Sequence, residues 1–208
     1  MDPQGSVRSR LRAARRSVAT ALHTLRNGTD YERWRNAEDP ARQLTERNAL
    51  IGGLVPAGSS VLDLGAGRQE LRRHLPSDCE YQACDLFPAP GVVTCDFNAG
   101  TYPAVDRRFD ILVASGLVEF LRHPDRLLAR LPEFGDVLLM SYPVRAPGEG
   151  LQRRRASGYL SHLNKQELES LLTEPGYGWE QVAEYKSTGA GVEVQPIYRV
   201  RLAPGSGH

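Results

Sequence analysis

From Ser59 onward the apolar residues fall in short runs separated by stretches of helical spacing. Val61-Leu62-Asp63-Leu64 predicts a buried strand that ends in Gly65-Ala66-Gly67, with a short helix from Gln69 to Leu75 behind it. Glu80 to Leu86, Val92 to Asp96 and Phe109 to Ala114 predict three more strands. Asp125 to Leu131 has helical spacing, and Asp136 to Tyr142 is a fifth strand. Asn164 is placed to cap the next helix, with Glu167 at capping-box distance. Trp179 to Tyr185 and Val192 to Leu202 predict a closing pair of strands joined through Gly189 and Gly191. Upstream, Ala41-Arg42-Gln43-Leu44 to Leu50-Ile51 is helix-like and stops at Gly52-Gly53. Strands alternating with helices imply parallel βαβ units, and a terminal hairpin adds an antiparallel edge.

The amino-terminal 28 residues follow a different pattern. Val7, Leu11, Ala14, Val18, Leu22 and Leu25 recur at steps of three or four, and Asn27-Gly28 reads as a helix stop. This arm carries six arginines (Arg8, Arg10, Arg12, Arg15, Arg16 and Arg26) against Asp2 alone, although the whole chain has a formal charge of only +1. The boundaries expected are therefore a basic amphipathic helix over 1–28, one domain over 29–202, and a loose tail over 203–208. A helix packed on the domain edge is one reading of the arm. Others are an interfacial helix drawn to anionic lipid or an acidic partner through residues 6–26, and a transit peptide. With 208 residues, 40% hydrophobic and 25% charged, the chain has the composition of a single globular domain, and no apolar run reaches membrane-spanning length. The expectation is a cytoplasmic protein, peripheral to a membrane if the arm docks there. Cys79, Cys84 and Cys95 are an odd number with no CxxC or Cys/His cluster, which fits neither a disulfide scaffold nor a zinc site, and Cys84 and Cys95 read as small core residues. No metal site is expected.

The chemistry concentrates at the predicted strand ends. A strand running into Gly-x-Gly lets backbone approach a ligand, and the following helix start would offer free N–H groups. Asp63 lies inside an apolar strand, where a carboxylate needs a reason to be tolerated. Asp85 lies 20 residues beyond Gly65 at the end of the next strand, the position of an acid that grips a ribose diol. Asp96 closes the third strand and is followed by Phe97, a flat apolar surface suited to a purine. A dinucleotide fits less well. The loop reads Gly65-Ala66-Gly67-Arg68-Gln69-Glu70 with no third glycine, and Asp63 would repel a pyrophosphate. The features describe a ligand with a purine, a ribose and a cationic end.

The run from Ser59 to about Leu131, extending to the final strand, resembles the class I S-adenosylmethionine-dependent methyltransferases, in particular small bacterial methyltransferase domains. Val61 to Gly67 resembles the family's first motif, and Phe109 to Phe120 its fourth-strand motif. The resemblance implies an α/β fold: a Rossmann-like, doubly wound, mostly parallel seven-stranded sheet with an antiparallel C-terminal strand. It implies S-adenosyl-L-methionine as cofactor, with Gly65, Ala66 and Gly67 lining the methionine end and Asp63 serving its ammonium. Asp85 would take the ribose, Leu86 and Phe97 would sandwich the adenine, Asp96 would take its amino group, and Ser115 would lie near the methionine. The chain departs from the family at Gln69, where a third glycine is common, and at Phe120, where a histidine is common.

Catalytic candidates are His162, His123 and Tyr159, with Tyr142 as an alternative. Glu119 either faces the cofactor mouth or caps the next helix. Arg153-Arg154-Arg155 reads as an attractor for an anionic acceptor or as a solvated charge run. The expected reaction is methyl transfer to a small-molecule or glycan-linked acceptor. A non-catalytic cofactor-binding scaffold and a nicotinamide-dependent oxidoreductase are the other readings. Nucleic-acid substrates are not expected. Ala114-Ser115-Gly116-Leu117 lacks the Asn/Asp-Pro-Pro-aromatic motif of base-amino methylation, no Pro-Cys pair occurs, and the body of the chain is not basic.

Overall fold

The computed structural model describes residues 41–187 and 193–202, together with 14, 15, 18 and 20 of the amino-terminal arm and 29 and 31–35 after it. The predicted helix over 1–28, the Gly189–Gly191 turn and the tail 203–208 therefore lie almost wholly outside the described residues. Those described within 1–28 (Ala14, Arg15, Val18 and Thr20) are helical.

Among the elements described end to end, two helices precede the sheet: α1 (Tyr31–Arg35) and α2 (Ala41–Gly52). The strands are β1 (Ser60–Leu64), β2 (Glu80–Asp85), β3 (Val92–Thr94), β4 (Phe109–Ser115), β5 (Gly135–Ser141), β6 (Gly178–Lys186) and β7 (Val194–Arg201). Helices α3 (Pro124–Arg130), α4 (Leu151–Ala156) and α5 (Lys165–Thr173) fill the later connections. The seven strands lie in the order β3-β2-β1-β4-β5-β7-β6. β1 to β5 pair in parallel, and β7 runs antiparallel to both β5 and β6. This is the doubly wound, mostly parallel sheet that the resemblance implies, built from the parallel units that the alternating pattern predicts. The strand order reverses between β1 and β4, so their carboxyl ends flank a crevice of the kind in which such sheets bind ligands.

Strands covered on both faces read as unbroken apolar runs. Leu62, Leu64, Leu112, Ala114, Leu138 and Met140 pack into a core on one side of the sheet, and Val61, Val113, Leu139 and Ile197 face Ile51 of α2 on the other. α2 lies so close to the sequence after β1 that a Cβ at Gly52 would sit 2.5 Å from the His74 carbonyl oxygen. The capping box at α5 forms as predicted. Asn164 Oδ1 accepts from the Glu167 amide, and Glu167 Oε2 accepts from the Asn164 amide.

Three local expectations are corrected. The predicted helix from Gln69 to Leu75 is a 3-10 turn over Glu70–His74, entered through Gln69 at φ +59°. β3 stops at Thr94, because the Asp96 side chain leaves the sheet to cap a 3-10 turn over Phe97–Ala99. Cys84 and Cys95 are buried as expected but are not independent core residues: they form a disulfide. The parallel register of β2 and β3, extended by the Cys95 amide donating to the Asp85 carbonyl, sets the two side by side.

Candidate functional site

β1 delivers the glycine loop to the crevice. Gly65 and Gly67 have φ of +73° and +53°, left-handed values that a side chain rarely tolerates. A Cβ at Gly65 would also meet Leu117 at 3.0 Å, whereas the space beside Gly67 is open. The amides of this loop are engaged within the protein. Those of Gly65 and Ala66 donate to the Cys84 carbonyl at 2.8 and 3.0 Å, and that of Gly67 donates to Asp85 Oδ2 at 2.7 Å. The loop is thus moulded by β2 and its terminal acid, and few of its donors remain for a phosphate.

Asp63 is buried to 3% exposure, and its Oδ2 accepts from the Tyr81 hydroxyl at 2.7 Å. Burial raises its pKa to about 7. The Tyr81 bond and the Arg47 charge oppose that rise, and the nearby Asp85 adds to it. A carboxyl held that far from its ordinary range, at the tip of β1, is suited to a cationic ligand that would draw it into its charged form. Asp85 accepts from Gly67 through one oxygen and from the Leu86 amide at 2.7 Å through the other, so both edges of its carboxylate are oriented by backbone.

Asp96 is engaged by the segment that leads into α1. Its oxygens accept from Thr29 Oγ1 at 2.8 and 3.0 Å and from the Tyr31 hydroxyl at 2.7 Å, besides the capping amides of Asn98 and Ala99. The carboxylate beside Tyr31 raises that phenol's pKa. α1 continues across the crevice: Tyr31 lies edge-on to Phe87, Arg35 lies over the same ring, and Trp34 meets Phe120 at 4.5 Å. Phe97 packs with Tyr102 at 6.1 Å between centroids.

The ends of β4 and β5 carry a second polar group. Glu119 is 2% exposed in a 3-10 turn after β4, and its Oε2 has no hydrogen-bond partner among the described residues. Burial raises its pKa to about 7, opposed mainly by Arg47. Its backbone carbonyl accepts from the amides of Leu160 and Ser161, which fixes the loop holding two sequence candidates, Tyr159 and His162, against the turn that follows β4. Tyr159 packs on Phe120 and donates to Glu193 Oε2 at 3.0 Å, and its pKa is raised by burial and by Glu119 and Glu193. His162 is lowered to about 4 by burial and by Arg154, Arg155 and Arg145. Tyr142 bonds to Ser161 and to the Leu163 amide beneath the loop. His123 is exposed at the head of α3, apart from this group.

The arginine run is not a uniform solvated face. Arg154 is 1% exposed, donates to the Pro143 carbonyl at 2.7 Å, pairs with Glu149 and lies over the rings of Tyr142 and Tyr159. Arg153 pairs with Glu193.

Sequence reasoning missed the contribution of α2. Arg47 and Asn48, each 7% exposed, reach the tip of β4. Arg47 Nε donates to Ser115 Oγ at 3.0 Å, Nη2 to the Ser115 carbonyl at 3.3 Å and Nη1 to Gln195 Oε1 at 3.1 Å. Ser115 Oγ in turn donates to Asn48 Oδ1 at 2.6 Å. Gly116, at φ +71°, makes room: a Cβ there would lie 2.5 Å from Arg47 Nη2. Buried polar residues on a helix before β1 are the one available sequence signal, and they have no motif spacing.

No family model matches the chain, and no curated protein matches its sequence. Solved structures do match its fold. The 1,6-didemethyltoxoflavin N1-methyltransferase of Burkholderia thailandensis, solved with 1,6-didemethyltoxoflavin and S-adenosylhomocysteine bound, aligns over 97% of this chain and 91% of its own with a TM-score of 0.60 and 18% identity. The magnesium protoporphyrin IX methyltransferase of Synechocystis, with S-adenosylhomocysteine bound, covers 88% of this chain and 99% of its own at TM-score 0.56 and 13% identity. A cyclopropane-fatty-acyl-phospholipid synthase-like protein of Lactobacillus casei covers 77% of this chain and 91% of its own at TM-score 0.57 and 11% identity. At these identities the likeness is one of fold, the mostly parallel, doubly wound sheet that this chain shares with them. Among the described residues no helix is long and apolar enough to cross a membrane.

Proposed function

We propose that the protein binds S-adenosylmethionine at the carboxyl ends of β1, β2 and β3 and transfers its methyl group to a small-molecule or glycan-linked acceptor. The observation that carries this reading is the pair Asp63 and Asp85. One is a buried carboxyl awaiting a cation; the other is oriented by the Gly67 amide of a loop whose own donors are spent. That donor set fits an ammonium and a ribose better than it fits a pyrophosphate. The cofactor supplies an electrophilic methyl group on a sulfonium sulfur. The chain supplies orientation and exclusion of water, which provide much of the rate of an in-line displacement. Asp63 would hold the ammonium, Asp85 the ribose hydroxyls, and Leu86 and Phe97 the faces of the purine.

An N–H or O–H acceptor must lose a proton, and Glu119 is the group best matched to take it, at Oε2. Its pKa of about 7 lies near neutrality, where a base works best, whereas that of His162, about 4, makes the imidazole a poorer proton acceptor. A nucleoside-binding domain without transfer is the second reading, favoured by the commitment of the Tyr159 hydroxyl to Glu193 and by the depressed pKa of His162.

Calorimetry with S-adenosylmethionine, S-adenosylhomocysteine and NAD tests the binding half. Saturable binding of the two sulfur nucleosides but not of NAD is expected, and the reverse would sink the reading. Transfer of labelled methyl from the cofactor into a small-molecule extract tests the other half. Binding without transfer would leave the second reading standing.

A further inference from the structure

We propose that Arg145, Arg155 and His162 form a binding site for an anionic group, a phosphate or carboxylate carried by the methyl acceptor, beyond the carboxyl end of β5. The occupant's identity as an acceptor rests on the reading above; the anion site itself stands on residues that the cofactor crevice does not use.

Hydrogen bonds bring three segments together here. The Tyr142 hydroxyl, just beyond β5, bonds to Ser161 Oγ at 3.1 Å and accepts from the Leu163 amide at 2.9 Å, so it holds both neighbours of His162. The Arg145 amide donates to the Leu163 carbonyl at 2.8 Å, which runs the chain leaving β5 alongside the same loop. Arg154 ties α4 to this place by lying over the Tyr142 and Tyr159 rings and donating to the Pro143 carbonyl. The charges of Arg154, Arg155 and Arg145 all act on the His162 ring, and Glu149 opposes them.

The nitrogens gathered there are short of acceptors. His162 Nδ1 and Arg154 Nε are buried and have no hydrogen-bond partner among the described residues, a state that costs free energy until something outside the chain meets them. Arg155 is half-buried on α4, and its guanidinium has no hydrogen bond or ion pair among the described residues. Arg145 approaches an acid only at 4.0 Å, and that oxygen, Glu167 Oε2, already accepts from the Asn164 amide. Glu149 stands 3.6 Å from Arg154 and is the acid closest to balancing the group. Lys165 is turned to Gln181 and Glu169, and Arg153 is paired with Glu193. The run of three arginines therefore divides: Arg153 and Arg154 have acidic partners, and Arg155 is left to join Arg145. Two guanidinium groups with donors to spare suit the several oxygens of a phosphate or carboxylate. The Glu119 carbonyl holds the amides of Leu160 and Ser161, so an acceptor anchored at His162 has the candidate base in the adjoining turn.

The test follows the His162 imidazole by NMR, its signal identified by loss in His162→Asn, as inorganic phosphate or acetate is added at constant ionic strength. Saturable binding of at least one ion is expected, with a rise of the His162 pKa from about 4 toward its ordinary value, because an anion beside the ring favours the imidazolium. A response to phosphate alone assigns a phosphate-bearing acceptor, and a response to acetate assigns a carboxylate. Arg155→Gln and Arg145→Gln, each folded by its melting transition, should weaken the binding about ten-fold, as for loss of a charged hydrogen bond. No saturable shift with either ion overturns the proposal. So does a shift that both variants leave intact, since the ion would then sit elsewhere. Calorimetry with S-adenosylhomocysteine on the same samples separates the two readings: if the ion binds as expected and the nucleoside does not, the anion site stands and the acceptor role falls with the cofactor reading.

Discussion

Asp63 and Glu119 share an unusual state: each is a carboxyl buried at a strand end and raised to about 7. Raised carboxyl groups bind more protons in the folded than in the unfolded chain between their unfolded and folded pKa values. The stability they contribute is present at low pH and is lost as pH climbs through about 7. Without ligand, the protein is expected to melt at a lower temperature at about pH 8 than at about pH 5.5, and Asp63→Asn should reduce that difference. His162 acts in the opposite sense, since a depressed imidazole favours the folded state above its unfolded value. Ligand binding should show the same titration. With Asp63 as the proposed ammonium partner, the affinity for S-adenosylhomocysteine should rise between about pH 6 and pH 8 with proton release to the buffer, and Asp63→Asn should flatten the rise. A flat wild-type profile would remove Asp63 as the ammonium partner. Glu119→Gln should remove the limb near neutrality from the pH profile of transfer. His162→Asn should leave it in place, and the opposite result would move the base to the imidazole.

At the scale of elements, legibility followed the hydrophobic pattern. β1 and its loop could be read because a covered parallel strand is an apolar run and Gly-x-Gly is its punctuation; the capping box of α5 could be read because Asn164 and Glu167 are three residues apart and act locally. α2 was legible as a helix but not as part of the site. Its buried face carries Arg47 and Asn48 while Leu50 is 42% exposed, the reverse of what periodicity assumes. The junction of α2 with β4 is expected to be sensitive for that reason. Gly116→Ala adds a Cβ 2.5 Å from Arg47 Nη2 at a left-handed φ, and should cost about 1–3 kcal/mol in denaturant unfolding. By contrast, Asn164→Ala should cost about 1 kcal/mol through the lost cap and leave nucleoside binding unchanged. Equal losses of affinity in the two variants would mean that α2 is not specially tied to the site.

Across the whole molecule, contacts between distant parts of the chain were the least visible. The bonds from Thr29 to Asp96 span 67 residues, and no spacing rule links an arm to the third strand of a sheet. The disulfide was hidden for a related reason: only the register of β2 against β3 reveals that residues 84 and 95 are neighbours. Thiol titration in denaturant should therefore detect one reactive sulfhydryl per chain, that of Cys79, and three after reduction. Three before reduction would show the bond to be open.

Each bridging cysteine immediately precedes an acid, Cys84 before Asp85 and Cys95 before Asp96. The closed ring between them therefore acts as a covalent ruler. Asp85 and Asp96 are set at one spacing by a chemical bond, and that spacing would persist if the surrounding hydrogen bonds loosened.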